Sequence, residues 1–227
     1  MNVVLENLDL TLWAFGHTVL LFLSAGVLSL VLGTLLAAMR VGPAAVLRRF
    51  TAGYVTLVRN TPLLIVFIFF RFAGPPIGIK FGFLDLTWGE VRLNNFFGAG
   101  VAALTVYTAA FVCEAIRSGI NAVPLGQAEA ARAIGLPFGD VMRHVVLPQA
   151  VRASIPPLAS VQIALLKNTT VAGAFAVTEA FAQMRAFTNN NAGERVGIFI
   201  SFAVIFVVLV EVVSLVANRF ERKARVA

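Results

Sequence analysis

Charged side chains are scarce in this sequence, because only 13% of its 227 residues are Asp, Glu, Lys or Arg. Soluble domains carry about 25% charged residues, so the composition argues against a water-soluble fold. The single cysteine, Cys113, cannot form a disulfide within the chain. His17 and His144 lie too far apart in sequence to suggest a metal site. No G-x-x-x-x-G-K-[ST] stretch is present, so we expect no P-loop for ATP phosphates.

Apolar residues, in contrast, make up 59% of the chain, and the mean hydropathy is +0.88. Apolar stretches, of which residues 12–38 are the clearest, exceed the ~18 residues that mark a membrane span. We predict an all-α integral membrane protein with one domain, residues 1–227, and five transmembrane helices. The N-terminal segment has no basic residue, so the first apolar run is predicted to be a retained span and not a cleaved signal. The predicted spans cover about residues 12–38, 52–73, 97–116, 153–178 and 197–217.

The distribution of basic residues predicts the orientation of these spans. With the N-terminus outside and the C-terminus cytoplasmic, eleven of the 18 Lys and Arg residues fall on cytoplasmic segments and four on outside segments. This asymmetry is the one expected of membrane proteins. The net charge of +7 is therefore a topology signal, and no nucleic-acid partner is expected.

The longest cytoplasmic segment, residues 117–152, predicts a compact helical knob. "LGQAEAARAI" is rich in helix formers and should end at Gly135. "FGDVMRHVVL" should form a second helix that ends at Pro148. Such a knob either packs on its own bundle or docks a soluble cytoplasmic partner. Its predicted polar exterior consists of Arg132, Arg143 and His144, and its predicted apolar side consists of Ala130, Ala131, Ile134, Val141 and Val145.

The same knob carries a spaced motif: E-A-A, three residues, G, nine residues, an aliphatic residue, any residue, then L-P. The motif resembles the cytoplasmic signature loop of the membrane subunits of bacterial ATP-driven importers. "VRNTPLL" (58–64), "YTAAFVCEAIRSGINAVPLGQAEAA" (107–131) and "ALLKNTT" (164–170) resemble the polar amino-acid permeases of that family, and most resemble glutamate uptake systems. The resemblance covers about residues 15–215. In this chain the motif residues are Glu129, Ala130, Ala131, Gly135, Val145, Leu147 and Pro148.

The resemblance implies a type I ABC importer permease fold in the bacterial cytoplasmic membrane. Two permease subunits, identical or different, would pair with two copies of an ATPase subunit and an extracytoplasmic solute-binding protein. The loop at about 124–148 would be the coupling loop to the ATPase, with Glu129 and the surroundings of Gly135 in contact. ATP and Mg would be held by the partner, so this chain would be non-catalytic and would bind no cofactor. The implied solute is a polar amino acid, glutamate or another acidic one.

Polar residues inside the spans are the candidates for the solute pathway. A charge at the bilayer centre costs about 2.5–3.5 kcal/mol on insertion scales, so such residues usually face a cavity or one another. We expect Lys167 to face a cavity, with an ion pair to Glu114 as the alternative, in a helix broken by Pro156 and Pro157. Asn168 or a threonine would otherwise bond a neighbouring helix. The candidate set is Lys167, Asn168, Thr169, Thr170, Arg59 and Tyr107.

Two local patterns accompany these candidates. Thr61 and Pro62 are typical of a helix start, which would place a helix N-terminus beside Arg59 and suit a carboxylate. The alternative is a proline kink with Arg59 extended to the inner interface. Glu114 and Arg117 have the spacing of an intrahelical ion pair.

Three other functions compete with an importer of acidic amino acids. An ion-coupled secondary carrier would need inverted repeats or more spans, and the sequence has neither. A structural or signalling membrane protein would not need the polar cluster at 167–170. A permease for a different polar amino acid remains open, although Asn168 replaces an aspartate that is common in the subfamily and so favours an acidic solute.

Overall fold

The structure is a computed structural model that describes residues 2–81, 86–88, 91–93 and 95–226. Its framework is helical, as predicted, with one short pair of antiparallel strands that places Leu86 opposite Leu93. The elements are α1 (Asn2–Glu6), α2 (Leu8–Val41), α3 (Ala45–Asn60), α4 (Leu63–Ile68), β1 (Leu86–Trp88), β2 (Val91–Leu93), α5 (Asn95–Asn121), α6 (Leu125–Ala133), α7 (Phe138–Asp140), α8 (Leu147–Asn168), α9 (Ala180–Asn190) and α10 (Arg195–Val226). Wider π turns occupy Phe69–Ala73 and Val141–Val146, and 3-10 turns occupy Pro75–Ile77, Thr169–Phe175 and Ala192–Glu194.

Three stretches in the described part of the chain are long and apolar enough to cross a membrane, namely Leu8–Val41, Asn95–Asn121 and Ala192–Arg222. A fourth is the pair Ala45–Asn60 and Leu63–Ala73, whose axes are bent by 104°. α8, which covers most of the fourth predicted span, falls below this threshold. The chain is thus a multi-pass helical membrane protein, while the count of five spans and the orientation of the termini stay predictions.

The prediction that Pro156 and Pro157 break the fourth span is wrong. α8 runs without interruption from Leu147 to Asn168 with both prolines inside it. Each proline removes one N–H donor, but the turns on either side keep their hydrogen bonds. The change of backbone comes later, where the α-helix gives way to the 3-10 turn Thr169–Phe175.

The core lies between α2, α5 and α8, and α4 packs against the same cluster through Phe67. Small residues let these helices approach closely: a Cβ atom added at Gly33 of α2 would lie 2.5 Å from the Cβ of Val112 in α5. Leu21, Leu104 and Leu165, one from each of the three helices, are fully buried in the same cluster. This packing fixes the rotation of α5 and α8 about their axes, and that rotation decides which polar side chains face each other.

The knob between α5 and α8 has a small apolar core of its own, made by Ala131, Val141 and Val146. Its corner is Gly135, with a φ angle of 91°, as the sequence predicts. The prediction that Pro148 ends the second helix is wrong. The chain passes from α7 through the π turn into α8, and Pro148 sits in the first turn of α8, where no N–H donor is needed. Ala130 and Ile134 are also exposed and not on the buried side.

Candidate solute pathway and coupling loop

A cavity of about 190 Å³ lies between α5 and α8. It brings together two of the candidate residues, Tyr107 from α5 and Asn168 from the end of α8. The Tyr107 ring packs against Phe111 one turn further along, with ring centroids 5.1 Å apart. Among the described side chains that line this cavity, none carries a carboxylate. The lining residues are Tyr107, Thr108, Phe111, Val161, Ala164, Leu165 and Asn168.

The remaining members of the polar cluster do not line this cavity. Lys167 is exposed at the surface of the subunit, and neither of the alternatives weighed for it, a cavity within the chain or an ion pair with Glu114, is found among the described residues. Thr169 is buried, and its hydroxyl donates to the Leu166 carbonyl at 2.7 Å. The Thr170 hydroxyl donates to the Lys167 carbonyl at 2.8 Å. Both threonines therefore stabilise the end of α8 through local hydrogen bonds.

Arg59 lies at a second, polar pocket of about 410 Å³, which we call the inner pocket. Glu114 lies at its centre and pairs through Oε1 with Arg40 at 3.0 Å and through Oε2 with Arg117 at 2.9 Å. Arg59 approaches Oε2 at 3.9 Å. The predicted Glu114–Arg117 pair is thereby confirmed. The inner pocket is lined by Arg40, Val55, Thr56, Arg59, Asn60, Phe111, Glu114 and Arg117.

Of the two interpretations of "RNTPLL", the structure has the helix restart. α3 ends at Asn60, α4 begins at Leu63, and the chain turns sharply between them. Thr61 does not cap the new helix, contrary to the prediction. Its hydroxyl donates backwards to the Leu57 carbonyl at 2.8 Å and so caps the end of α3. The carboxylate near Arg59 is Glu114 of this same chain.

Two residues that line these sites, Arg40 and Phe111, are not among the residues that the sequence predicts for the solute pathway. Glu179, which lines neither site, is fully buried. Its carboxylate accepts hydrogen bonds from the N–H groups of Phe181 and Ala182, at 3.0 and 2.9 Å, at the start of α9. An acidic residue directly before a helical segment was the available signal, because carboxylates are stabilised at helix N-termini.

The exposed surface of the knob is apolar at three positions. Leu125, Ile134 and Phe138 expose 80%, 81% and 74% of their surface. Side chains of this size are usually covered in soluble surroundings, and together they mark an interaction surface. The motif residues Glu129, Ala130 and Pro148 are exposed beside it, Leu147 is 43% exposed, Val145 is partly buried, and Ala131 is buried in the knob.

A multi-pass helical bundle with a cavity between two of its long helices and an uncovered apolar surface on its knob is the architecture expected of a membrane permease. Comparison with known proteins identifies the family. Residues 29–226 match the binding-protein-dependent transport system inner membrane components. The chain belongs to this family, which supplies the permease subunits of ABC importers.

Individual relatives cover nearly the whole chain. The glutamate transport system permease protein GluC of Corynebacterium efficiens is 43% identical over 197 residues, which is 86% of each protein. The probable glutamine ABC transporter permease protein GlnM of Bacillus subtilis is 33% identical over 98% of this chain and 97% of its own. A crystal structure of an amino acid ABC transporter superimposes with a TM-score of 0.85 at 25% identity, covering 97% of both chains.

Proposed function

We propose that this chain is the subunit through which an ABC importer moves an acidic amino acid, glutamate or aspartate, across the bacterial cytoplasmic membrane. The supporting observation is the cavity between α5 and α8, which offers the phenol of Tyr107 and the amide of Asn168 and no carboxylate to repel an anionic side chain. The name of the relative at 43% identity agrees with this substrate class. ATP would be hydrolysed on partner subunits, and this chain would contribute no catalytic group.

Lys167 belongs to this proposal through the second permease subunit. An ammonium group left in the hydrocarbon region costs about 2.5–3.5 kcal/mol, so Lys167 needs polar surroundings. It lies next to Asn168 but projects from the free surface of α8. In a pair of permease subunits this surface would be covered, and Lys167 would face the route between the subunits. Its charge would then attract a solute carboxylate.

The charge of the cavity provides the test of the substrate class. Asn168→Asp adds a carboxylate of nearly the same shape and should lower glutamate uptake about tenfold or more, because repulsion between like charges in the cavity needs to cost only about 1.4 kcal/mol for a tenfold effect. Glutamine uptake should fall much less. The measurement is uptake of both labelled solutes by the assembled importer. Asn189→Asp, the same change at an exposed site in α9, is the matched control, and equal loss for both solutes would contradict the proposal.

The knob is proposed to dock in a groove of the ATPase subunit, with Ile134 as a central contact. Ile134→Asp should weaken binding of the ATPase by about 2 kcal/mol or more, roughly thirtyfold, because an apolar side chain that the complex would bury is replaced by a charged one. Ile134→Met keeps an apolar side chain of similar volume and should retain binding. Co-purification of the ATPase with each variant measures the effect. Full recovery of the ATPase with Ile134→Asp would place the docking surface elsewhere.

A further inference from the structure

The cavity between α5 and α8 and the inner pocket have one lining residue in common, Phe111. Tyr107 and Asn168 line the first of these spaces, and Arg59 and Glu114 line the second. The Arg59 guanidinium carbon is 5.6 Å from the centre of the Phe111 ring. The two spaces are therefore neighbours at this ring.

The inner pocket has a surplus of positive charge. Three guanidinium groups face one carboxylate, and Glu114 already pairs closely with Arg40 and Arg117. Arg59 is the least engaged of the three, since its ion pair measures 3.9 Å and its side chain is 47% exposed. A guanidinium group presents a planar fork of donors that matches a carboxylate. The pocket is thus suited to an incoming anion.

The position of the inner pocket indicates which end of the route it occupies. Arg40 is one residue before the end of α2. Glu114 lies seven residues before the end of α5, about 10 Å at 1.5 Å per residue. The knob begins directly after α5. The inner pocket therefore lies at the end of the bundle that carries the proposed ATPase contact.

We propose that the inner pocket is a second binding site for the solute, which we call the station. There Arg59, assisted by Arg40 and Arg117, binds the carboxylate group of the solute after the solute has passed Phe111. Phe111 is the gate between the two chambers. The inference rests on the proposed function, because it requires a solute that carries a carboxylate. It adds the place on the ATPase side where the solute is held before release.

Labelling of an introduced cysteine tests the charge of the pocket independently of transport. Cys113 is the only cysteine, so Cys113→Ser with Thr56→Cys leaves one thiol, on the wall of the inner pocket. The measured quantity is the labelling rate with the anionic sulfonatoethyl methanethiosulfonate divided by the rate with its cationic trimethylammonium analogue. In the assembled importer we expect this ratio to be roughly tenfold higher than in the same protein with Arg59→Gln. L-Glutamate should slow the labelling. An unchanged ratio with Arg59→Gln, or labelling that glutamate does not affect, would overturn the proposal.

Transport by two pairs of variants tests the station and the gate. Arg59→Gln should lower glutamate uptake about tenfold, since a charged hydrogen bond is lost, and Arg59→Lys should restore part of it. Each variant is compared with wild type at equal amounts of assembled complex, judged by ATPase co-purification and size-exclusion chromatography, which separates a binding defect from misfolding. Phe111→Ala should let preloaded glutamate leave proteoliposomes without ATP several-fold faster than wild type, and Phe111→Leu should not.

Wild-type uptake with Arg59→Gln, or no leak with Phe111→Ala in a correctly assembled complex, would contradict the station or the gate respectively. Failure of the proposed substrate looks different. A wild-type complex that takes up another amino acid but not glutamate would overturn the proposed substrate and leave the inner pocket to be tested with that amino acid. If the transported amino acid slows labelling of Thr56→Cys, the inner pocket binds solute; if it does not, the second site is overturned as well.

Discussion

Replacing Gly135 by valine is expected to abolish ATP-driven uptake while the protein remains inserted in the membrane. Gly135 forms the corner between α6 and α7, with a φ angle of 91°. No atom outside its own neighbours lies within 4 Å of the position that a Cβ would take, so space does not forbid a side chain. The backbone does, because this left-handed conformation costs an ordinary residue about 1–2 kcal/mol and is rarer still for a β-branched one.

The corner is held by two hydrogen bonds that close the end of α6. The N–H of Gly135 donates to the Arg132 carbonyl at 3.0 Å, and the N–H of Leu136 donates to the Ala131 carbonyl at 3.2 Å. This is the Schellman arrangement, which needs a left-handed residue at the corner. If valine forces φ to a negative value, both bonds are lost and the exposed surface around Ile134 and Phe138 is no longer presented as one unit.

Gly135→Asn is the matched control, because asparagine tolerates the left-handed conformation better than other non-glycine residues. It should retain much of the wild-type uptake. Each variant is measured for the amount of protein in the membrane, for ATPase co-purification, and for the ratio of solute uptake to ATP hydrolysis. Normal coupled uptake with Gly135→Val would show that this corner is not needed to couple ATP hydrolysis to solute transport.

A second large effect is expected at Gly119, where α5 crosses α8. A Cβ atom there would lie 2.6 Å from the carbonyl oxygen of Ala150 and would overlap the hydroxyl of Ser154. The backbone of α8 cannot move aside as a flexible side chain would. Gly119→Val should therefore separate the two helices and destabilise the bundle by about 1–3 kcal/mol or more.

Folded protein after detergent extraction, followed by its thermal unfolding midpoint, measures this effect. Gly16→Val is the matched control, because the Cβ position at Gly16 in α2 has nothing within 4 Å. It should behave like wild type. α5 and α8 also form the walls of the cavity, so any Gly119→Val protein that still folds should have lost uptake. Wild-type stability and uptake would mean that the close contact between α5 and α8 is not required.

Local features of the sites were predictable because they depend on residues close together in the chain. A left-handed corner at Gly135 follows from a glycine after a run of helix formers, and the Glu114–Arg117 pair follows from helical spacing. The family resemblance of the knob likewise rests on spacing within about twenty residues. The sequence near Arg59 is compatible with a proline kink and with a new helix that starts at Pro62. Because proline is found in both, the sequence alone does not distinguish them.

Predictions that depended on the direction of a side chain in the bundle succeeded less often. Lys167 projects from the surface of a single subunit, so the cavity predicted for it stays a prediction about the pair of subunits, while its neighbour Asn168 lines the cavity between α5 and α8. Pro156 and Pro157 were expected to break a helix that in fact continues, because the flanking turns and the packing on α5 outweigh two lost donors. Periodicity states which residues share a face, but not which face is turned to the core.

By itself, the sequence determined the membrane class, the presence of the knob and the family, because hydropathy and short-range spacing are properties of neighbouring residues. Only the tertiary structure decided that Arg40, Arg59 and Arg117 converge on Glu114, and that Phe111 lines both this pocket and the cavity at Tyr107 and Asn168. These side chains come from α2, α3, α5 and α8. Their meeting depends on how closely Gly33 and Gly119 let the helices approach, and that distance is set by packing across the whole bundle.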